Sequence, residues 1–291
     1  MNRILYITST LKRLGPTNQT YGLIKSLDKT NFQPYILTLS PEPEDSRYND
    51  FFNLNVPIYS LNLSRKDMII KGKKKLIESV RKIQPDIIHT TGIRPDTYTI
   101  KYLKQYSQVS TIRNYAFKDY PVKFGPLKGR IMAKNHIKTI SKIQYLVSCS
   151  NSIAEVYKKK HKIKTRVIQN GVDNEYYSPV VLKEKQQIRK KLNLPQDKII
   201  FIFVGSLIDR KDPITVISAF QDAQLNKKAV LLILGEGPLY DKCKKIKEDN
   251  ILLKGQVSNV VDYLRAGDVF VSSSLSEGLP NAVLEAMAVQ L

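Results

Sequence analysis

Residues 276–288 read Ser-Glu-Gly-Leu-Pro-Asn-Ala-Val-Leu-Glu-Ala-Met-Ala and decide which fold the chain adopts. They follow residues 268–272, whose sequence DVFVS is typical of a buried parallel strand. Pro280 is placed to open a helix. The stretch therefore predicts a strand, a turn holding Glu277, and a helix with Glu285 about two turns in. Open parallel sheets bind ligands in the crevice at this edge.

The same turn carries backbone donors as well as carboxylates. The amides of Gly278, Leu279 and Asn281 are predicted to point outward as an anion site. Acidic acceptors beside such donors suit a ligand with both hydroxyls and phosphates, such as a nucleotide sugar. The alternative is structural, because a Glu near a helix start complements the helix dipole and closes a capping box with Ser276.

The rest of the chain alternates short β-rich runs with longer amphipathic ones, a pattern typical of parallel sheets with crossover helices. One series of runs occupies residues 1–175 and a second begins at residue 198. The polar stretch between them, residues 176–197, is predicted to be a linker that carries one charged helix. The predicted strands are residues 4–8, 34–39, 86–89, 109–113, 145–149, 166–169, 198–204, 229–234, 251–254 and 268–272.

The motif at 276–288 resembles the signature of retaining glycosyltransferases with the GT-B fold, in glycosyltransferase family 4 (glycosyl transferases group 1). The resemblance implies an α/β protein with two Rossmann-like domains, whose parallel sheets face a cleft. Residues 1–175 would be the acceptor-side domain and residues 198–291 the donor-nucleotide domain. Members of that family continue beyond the position of Leu291. The second domain is therefore expected to be incomplete, and the activity of the truncated chain stays open.

The resemblance also implies donor-binding residues in the second domain. Family members commonly carry an Arg directly after the Gly of the first turn and a Lys five residues later, both on the donor diphosphate. Lys211 matches that Lys, whereas Ser206 occupies the Arg position, and the adjacent Arg210 is expected to compensate. Gly235 would line the nucleotide site. Val257 lies in the segment whose backbone reads the nucleobase.

In the first domain the resemblance implies two further positions. Gly15 lies in the turn after the first strand, which faces the donor diphosphate and the acceptor in the family. Arg113 occupies the place where many members have a His beside the transferred sugar. A guanidinium does not act as a base, so Arg113 is expected to neutralise phosphate or orient the acceptor. His89, at the end of another predicted strand, is interpreted as structural.

The charge of the chain is large and uneven. The 291 residues have a net charge of +21, of which residues 1–175 hold 31 Lys and Arg against 13 Asp and Glu. Such an excess predicts an anionic partner for the first half: a membrane surface, a lipid-linked acceptor or nucleic acid. No nucleic-acid motif occurs, so the membrane surface is the leading expectation. No run approaches the ~20 apolar residues that span a bilayer. Both cysteines are expected to be buried and reduced.

No D-x-D triplet occurs, and the three histidines lack ligand spacing, so neither a metal site nor a cofactor besides the donor is expected. Together with this absence, the resemblance implies a metal-independent, retaining hexosyltransferase that uses a nucleoside diphosphate sugar and a saccharide or lipid-linked acceptor. It would act in surface polysaccharide, capsule or glycolipid biosynthesis, in the cytoplasm at the inner face of the membrane. Two alternatives stay open: an inactive truncated relative kept as a binding protein or gene remnant, and a sugar-nucleotide epimerase. The sugar, nucleobase, acceptor, linkage and oligomeric state are not predicted.

Overall fold

The computed structural model describes residues 1–225, 228–246 and 248–291, and it divides the chain into two compact units, Met1–Gly171 and Val172–Leu291. Both units are α/β with parallel strands, as the sequence predicts. Residues 176–197, predicted to be a linker, belong to the second unit. There the buried Arg189 donates to the carbonyl of Ala266 (2.9 Å) and to a carboxylate oxygen of Asp268 (2.5 Å).

The first unit is a seven-stranded parallel sheet in the order β3-β2-β1-β4-β5-β6-β7, with helices in the crossovers. The strand order reverses between β1 and β4, the position at which doubly wound sheets open a crevice at the carboxyl ends of their strands. The strands are β1 (Asn2–Thr8), β2 (Phe32–Thr38), β3 (Ile58–Ser60), β4 (Ile87–Thr90), β5 (Ser107–Ile112), β6 (Tyr145–Ser148) and β7 (Arg166–Val167). The helices are α1 (Gly15–Lys25), α2 (Tyr48–Phe52), α3 (Arg65–Ile70), α4 (Gly72–Ile83), α5 (Ile93–Tyr102), α6 (Ala116–Phe124), α7 (Pro126–Ile140) and α8 (Asn151–His161).

The described residues of the second unit form a parallel sheet in the order β10-β9-β8-β11. Relative to its own first strand this order repeats that of β3-β2-β1-β4, so the second crevice is expected between β8 and β11. The strands are β8 (Ile199–Val204), β9 (Ala229–Leu234), β10 (Ile251–Gly255) and β11 (Val269–Phe270). The helices are α9 (Leu182–Lys191), α10 (Pro213–Asp222), α11 (Tyr240–Lys244), α12 (Val260–Ala266) and α13 (Asn281–Ala288).

Each unit buries its own apolar core. In the first, Leu5, Leu37 and Ile88 from adjacent strands pack with residues of α4 such as Leu76 and Val80. In the second, every residue of β9 is buried, which explains its unbroken apolar sequence, Ala-Val-Leu-Leu-Ile-Leu. Both cysteines are buried, and they do not form a disulfide bond. Across the described ranges, no helix has the length and apolar content needed to cross a membrane.

Candidate active site

The loops that follow β8 and β11 flank the crevice of the second sheet, and their side chains meet there. Glu277 follows β11, and its Oε1 lies 2.6 Å from Lys211 Nζ and 2.8 Å from a terminal nitrogen of Arg210. The Lys and the Arg both lie in the loop after β8. All three side chains are mostly buried, between 15% and 18% exposed. The motif residues predicted from the resemblance therefore form one cluster, with two cations on one carboxylate.

Backbone contacts hold these two loops together. Arg210 also donates to the carbonyl of Ser276 (2.8 Å), and its own carbonyl accepts from the amide of Leu275 (2.9 Å). The Ser273 hydroxyl donates to the carbonyls of Lys211 (3.0 Å) and Asp212 (2.6 Å). No local pattern in the sequence marks these contacts of Ser273 and Ser276, because their partners lie more than 60 positions away.

The loop after β8 ends in a defined helix cap. Asp212 has a left-handed backbone (φ 47°), and its carboxylate accepts from the Thr215 amide (3.3 Å) and hydroxyl (2.7 Å). Pro213 then opens α10. This cap fixes the position of Lys211 immediately before the helix, which explains why a cation here faces the crevice between β8 and β11.

Two glycines let the neighbouring loops approach closely. Gly235 has a φ of 139°, and a Cβ at that position would lie 1.9 Å from the carbonyl oxygen of Gly205. Its amide donates to the carbonyl of Gly255, at the end of β10 (2.8 Å). Gly237 has a φ of 155°, and its Cβ would lie 2.5 Å from the Leu207 carbonyl oxygen. The loops after β8, β9 and β10 therefore form one packed edge. Val257, predicted to lie at the nucleobase, follows β10 and packs against the core.

The helix α13 and the strand before it correct four expectations. The strand before it spans Val269–Phe270 alone, although the amide of Val271 still donates to the Ile202 carbonyl (2.9 Å). It is also not buried as predicted, because β11 lies at one edge of the described sheet and Val269 is 38% exposed. The N-cap of α13 is Pro280, so Glu277 lies too far from the helix to close a capping box with Ser276. Glu285 is the fifth residue of α13, one turn into the helix and not two, because the helix begins at Asn281.

Glu285 lies in a desolvated position. Burial raises the pKa of its carboxyl group, and a hydrogen bond with the Tyr177 side chain opposes that shift. Tyr177 belongs to the stretch predicted to be a linker, and no local pattern there indicates a contact with Glu285. Gly278 and Leu279 lie in the turn before the helix and Asn281 is its first residue. The anion site predicted at these amides stays a prediction.

In the first unit, Gly15 is the first residue of α1 and lies exposed beyond β1, and Arg113 follows β5. Arg113 donates to the side-chain oxygen of Asn170 (2.8 Å), while burial lowers the pKa of its guanidinium. His89 is a hydrogen-bond partner of the Thr111 hydroxyl (2.8 Å). Burial, and then repulsion by Arg113, lowers the pKa of His89 to about 4. The imidazole is therefore neutral near pH 7, which agrees with its structural interpretation.

Comparison with known proteins identifies the family. Residues 15–176 match the model for Glycosyltransferase Family 4, and residues 184–291 match that for Glycosyl transferases group 1. The chain belongs to glycosyltransferase family 4. It is 29% identical over 255 residues to an Escherichia coli UDP-Gal:alpha-D-GlcNAc-diphosphoundecaprenol alpha-1,3-galactosyltransferase, covering 81% of this chain and 64% of that protein. It is 26% identical over 295 residues to the Escherichia coli O-antigen biosynthesis glycosyltransferase WclY, covering 97% of this chain and 76% of that protein.

The fold of this family 4 chain matches solved GT-B structures. Anabaena HepE in complex with UDP-glucose aligns with a TM-score of 0.81 at 13% identity, covering 99% of this chain and 79% of that one. The predicted GT-B fold is therefore confirmed. The chain spans 53%, 58% and 64% of the length of three relatives, from Bacillus subtilis, Methanocaldococcus jannaschii and Escherichia coli.

In the parts of the chain that the structure describes, no three His, Cys, Asp or Glu residues are placed to hold a metal ion.

Proposed function

We propose that the chain transfers a sugar from a nucleoside diphosphate sugar to a saccharide acceptor in surface polysaccharide or glycolipid biosynthesis. The observation that carries the proposal is the contact of Glu277 with Lys211 and Arg210 at the crevice of the second sheet. Two cations on one carboxylate leave a net positive charge beside the start of α13. Such a site attracts a diphosphate, since helix N-termini and basic side chains both favour anions.

The donor would rearrange this cluster as it binds. Lys211 and Arg210 would exchange the Glu277 carboxylate for diphosphate oxygens, and Glu277 would then accept hydrogen bonds from sugar hydroxyls. Glu285 would accept from the ribose hydroxyls, and Gly235 and Val257 would border the nucleotide. The positive charges of Lys211 and Arg210 would offset the negative charge that develops on the leaving diphosphate and so stabilise the transition state. We propose that these cations serve in place of a divalent ion, and that transfer retains the anomeric configuration through front-side attack.

The acceptor and the location are further parts of the proposal. The acceptor would be a lipid-linked saccharide bound by the basic first unit, with Arg113 and the turn at Gly15 nearby. Support comes from an Escherichia coli relative whose name specifies a diphosphoundecaprenol acceptor. A charge excess in residues 1–175 fits a protein held peripherally at the inner face of an anionic membrane. Capsule is one polysaccharide that such a transferase would serve.

Turnover of nucleotide sugars with a lipid-linked acceptor tests the proposal. We expect transfer of the sugar by the wild type, undiminished by a chelator such as EDTA. The variant Lys211→Ala is expected to bind nucleoside diphosphate about 10- to 100-fold more weakly, since a charge-assisted hydrogen bond is worth about 1.5–3 kcal/mol. Lys183→Ala, on the exposed side of α9, is the matched control. An epimerised donor without transfer, or nucleotide affinity unchanged by Lys211→Ala, would contradict the proposal.

A further inference from the structure

The helices α6 and α7 form a tight hairpin in the first unit. They join at Gly125 (φ 86°), and a Cβ on Gly129 of α7 would lie 2.4 Å from the Tyr120 carbonyl oxygen of α6. Buried hydrogen bonds also hold the hairpin against the sheet. His136 of α7 lies 2.6 Å from the Tyr120 hydroxyl and 2.8 Å from a carboxylate oxygen of Asp96 in α5. Asp96 in turn accepts from the hydroxyl of Thr90, the last residue of β4, and from the hydroxyl of Ser110 within β5.

This buried network explains which face of α7 points outward. The buried stripe of the helix consists of Gly129, Ala133, His136 and Ile140. The opposite stripe, at the same helical spacing, consists of Leu127, Ile131, Lys134 and Lys138. Leu127 is 77% exposed and Ile131 is 54% exposed, and Val122 of α6 is 53% exposed. We call the exposed side chains of α6 and α7 the hairpin face.

The hairpin face is strongly basic as well as apolar. Residues 116–140 hold six Lys and Arg residues and one acidic residue, Asp119. The exposed cations alternate with the apolar side chains along both helices. They are Lys118, Lys123, Lys128, Arg130, Lys134 and Lys138.

We propose that the hairpin face docks the protein on an anionic lipid bilayer, with Leu127 and Ile131 inserted among the acyl chains. This proposal rests on the proposed membrane location and assigns the surface that provides it. Apolar side chains projecting between cations suit a bilayer, because a helix lying in the interface buries its apolar side chains while its Lys and Arg residues pair with anionic headgroups. Nucleic acid would satisfy the cations but would leave Leu127 and Ile131 in water. The rigid hairpin presents these side chains without further folding.

Another exposed apolar pair provides an internal comparison. Ile69 and Ile70 of α3 are 78% and 79% exposed, beside Lys66 and Lys71. They are adjacent in sequence, so they project in directions about 100° apart on a helix of six residues. The hairpin face, by contrast, repeats its apolar positions on one side of a 15-residue helix.

Fluorescence tests the insertion directly, because the chain contains no Trp. Leu127→Trp is expected to shift its emission to shorter wavelength when vesicles of phosphatidylglycerol and phosphatidylcholine are added. Leu182→Trp, at a 70% exposed position of α9 in the second unit, is the matched control and is expected not to shift. A shift of Ile70→Trp with none at Leu127→Trp would move the docking surface to α3 and overturn the proposal.

Cosedimentation of the full chain with the same vesicles measures the electrostatic contribution to membrane binding. Each charge near such a surface changes the affinity about fivefold, so Lys128→Ser with Lys134→Ser should weaken binding about thirtyfold at low salt. Lys183→Ser with Lys190→Ser on α9 should leave it unchanged. An equal loss of vesicle affinity in both double variants would overturn the proposal. So would an unchanged affinity in the variant with Lys128→Ser and Lys134→Ser. Absence of wild-type binding would remove the membrane location itself, whereas sugar transfer to a water-soluble acceptor, measured in parallel, tests the chemistry separately.

Discussion

Glu285 is a carboxylate whose ionisation the fold opposes. Its pKa is raised from the ordinary value of 4.5 by burial, so the folded protein binds the proton more tightly than the unfolded chain does. The stability that this protonation contributes is present below pH ~4.5 and is lost as the pH rises through the raised pKa.

We therefore expect Glu285→Gln to be more stable than the wild type near pH 7, and the difference to vanish below pH ~4.5. The glutamine keeps an oxygen that can accept from Tyr177. Thermal denaturation of both proteins across the acidic range measures this, with the exposed Glu175→Gln as control. A stabilisation that is the same at every pH would show that desolvation of the carboxylate is not its cause.

His89 titrates in the opposite sense. Its pKa is depressed to about 4, mainly by burial, so the neutral imidazole stabilises the folded state above the ordinary pKa of 6.5. As the pH falls from 6.5 towards 4, the first unit should lose up to about 3 kcal/mol of stability. Native-state hydrogen exchange of β1, β4 and β5 at both pH values measures this loss, and the variant His89→Gln should lack it. Equal losses in wild type and variant would assign the effect to other groups.

The sequence could predict which residues belong to the candidate site but not their contacts. Lys211 and Glu277 each follow a strand of one parallel sheet, and the carboxyl ends of parallel strands meet at one edge of a sheet. Their direct ion pair, and the contact of Glu285 with Tyr177, depend on packing between distant segments, for which no local pattern exists. The roles of Gly15, Ser206, Arg210 and Arg113 stay predictions.

At the scale of elements, the α6–α7 hairpin depends on a position without a side chain. Gly129→Ala would place a Cβ 2.4 Å from the Tyr120 carbonyl oxygen and 2.5 Å from Pro121 Cα, both backbone atoms that cannot rotate away. We expect it to lower the free energy of unfolding by about 1–3 kcal/mol.

Gly22→Ala in α1 is the matched substitution, since no atom lies within 4 Å of its added Cβ. It should instead stabilise the protein by about 0.5–1 kcal/mol, because alanine favours helix. Chemical denaturation compares the two variants. If both changes had the same sign, the close approach of α6 and α7 would not be the reason for the glycine.

Ten of the strands were predictable because they are short β-rich runs, most of them with a helical pattern after them. The strand β3, three residues at the sheet edge, was missed because it is largely exposed and lacks an apolar core pattern. Helix α6 was missed because Pro121 lies inside it. The amphipathic pattern of residues 68–83 predicts a single helix, but the structure has two helices there, α3 and α4, that meet at Lys71.

At the scale of the whole molecule, each unit has its own core and its own titrating groups. Only the second unit carries the proposed nucleotide site. A nucleoside diphosphate at a hundred times its Kd should stabilise the unit that binds it by about 2.7 kcal/mol.

Hydrogen exchange with and without UDP tests this assignment. We expect added protection in the loops after β8, β9 and β11, and none in the strands of the first sheet. A first unit protected as strongly as the second would place the nucleotide elsewhere.

The two-unit organisation was predictable from the two alternating series. The place of residues 176–197 was not, because the buried contacts of Arg189 are long-range.

The crowded backbone at Gly235 and Gly237 affects how tolerance to substitution should be interpreted. In a saturation library scored for protein abundance in cells, almost every replacement at these two glycines should deplete the variant, even when transfer chemistry is never assayed. Replacements of Lys211 should leave abundance nearly intact and disappear only under a selection for activity. A glycine of this loop cluster that tolerates no substitution therefore indicates close packing. Residues that contact the donor would be recognised by substitutions that preserve abundance but abolish activity.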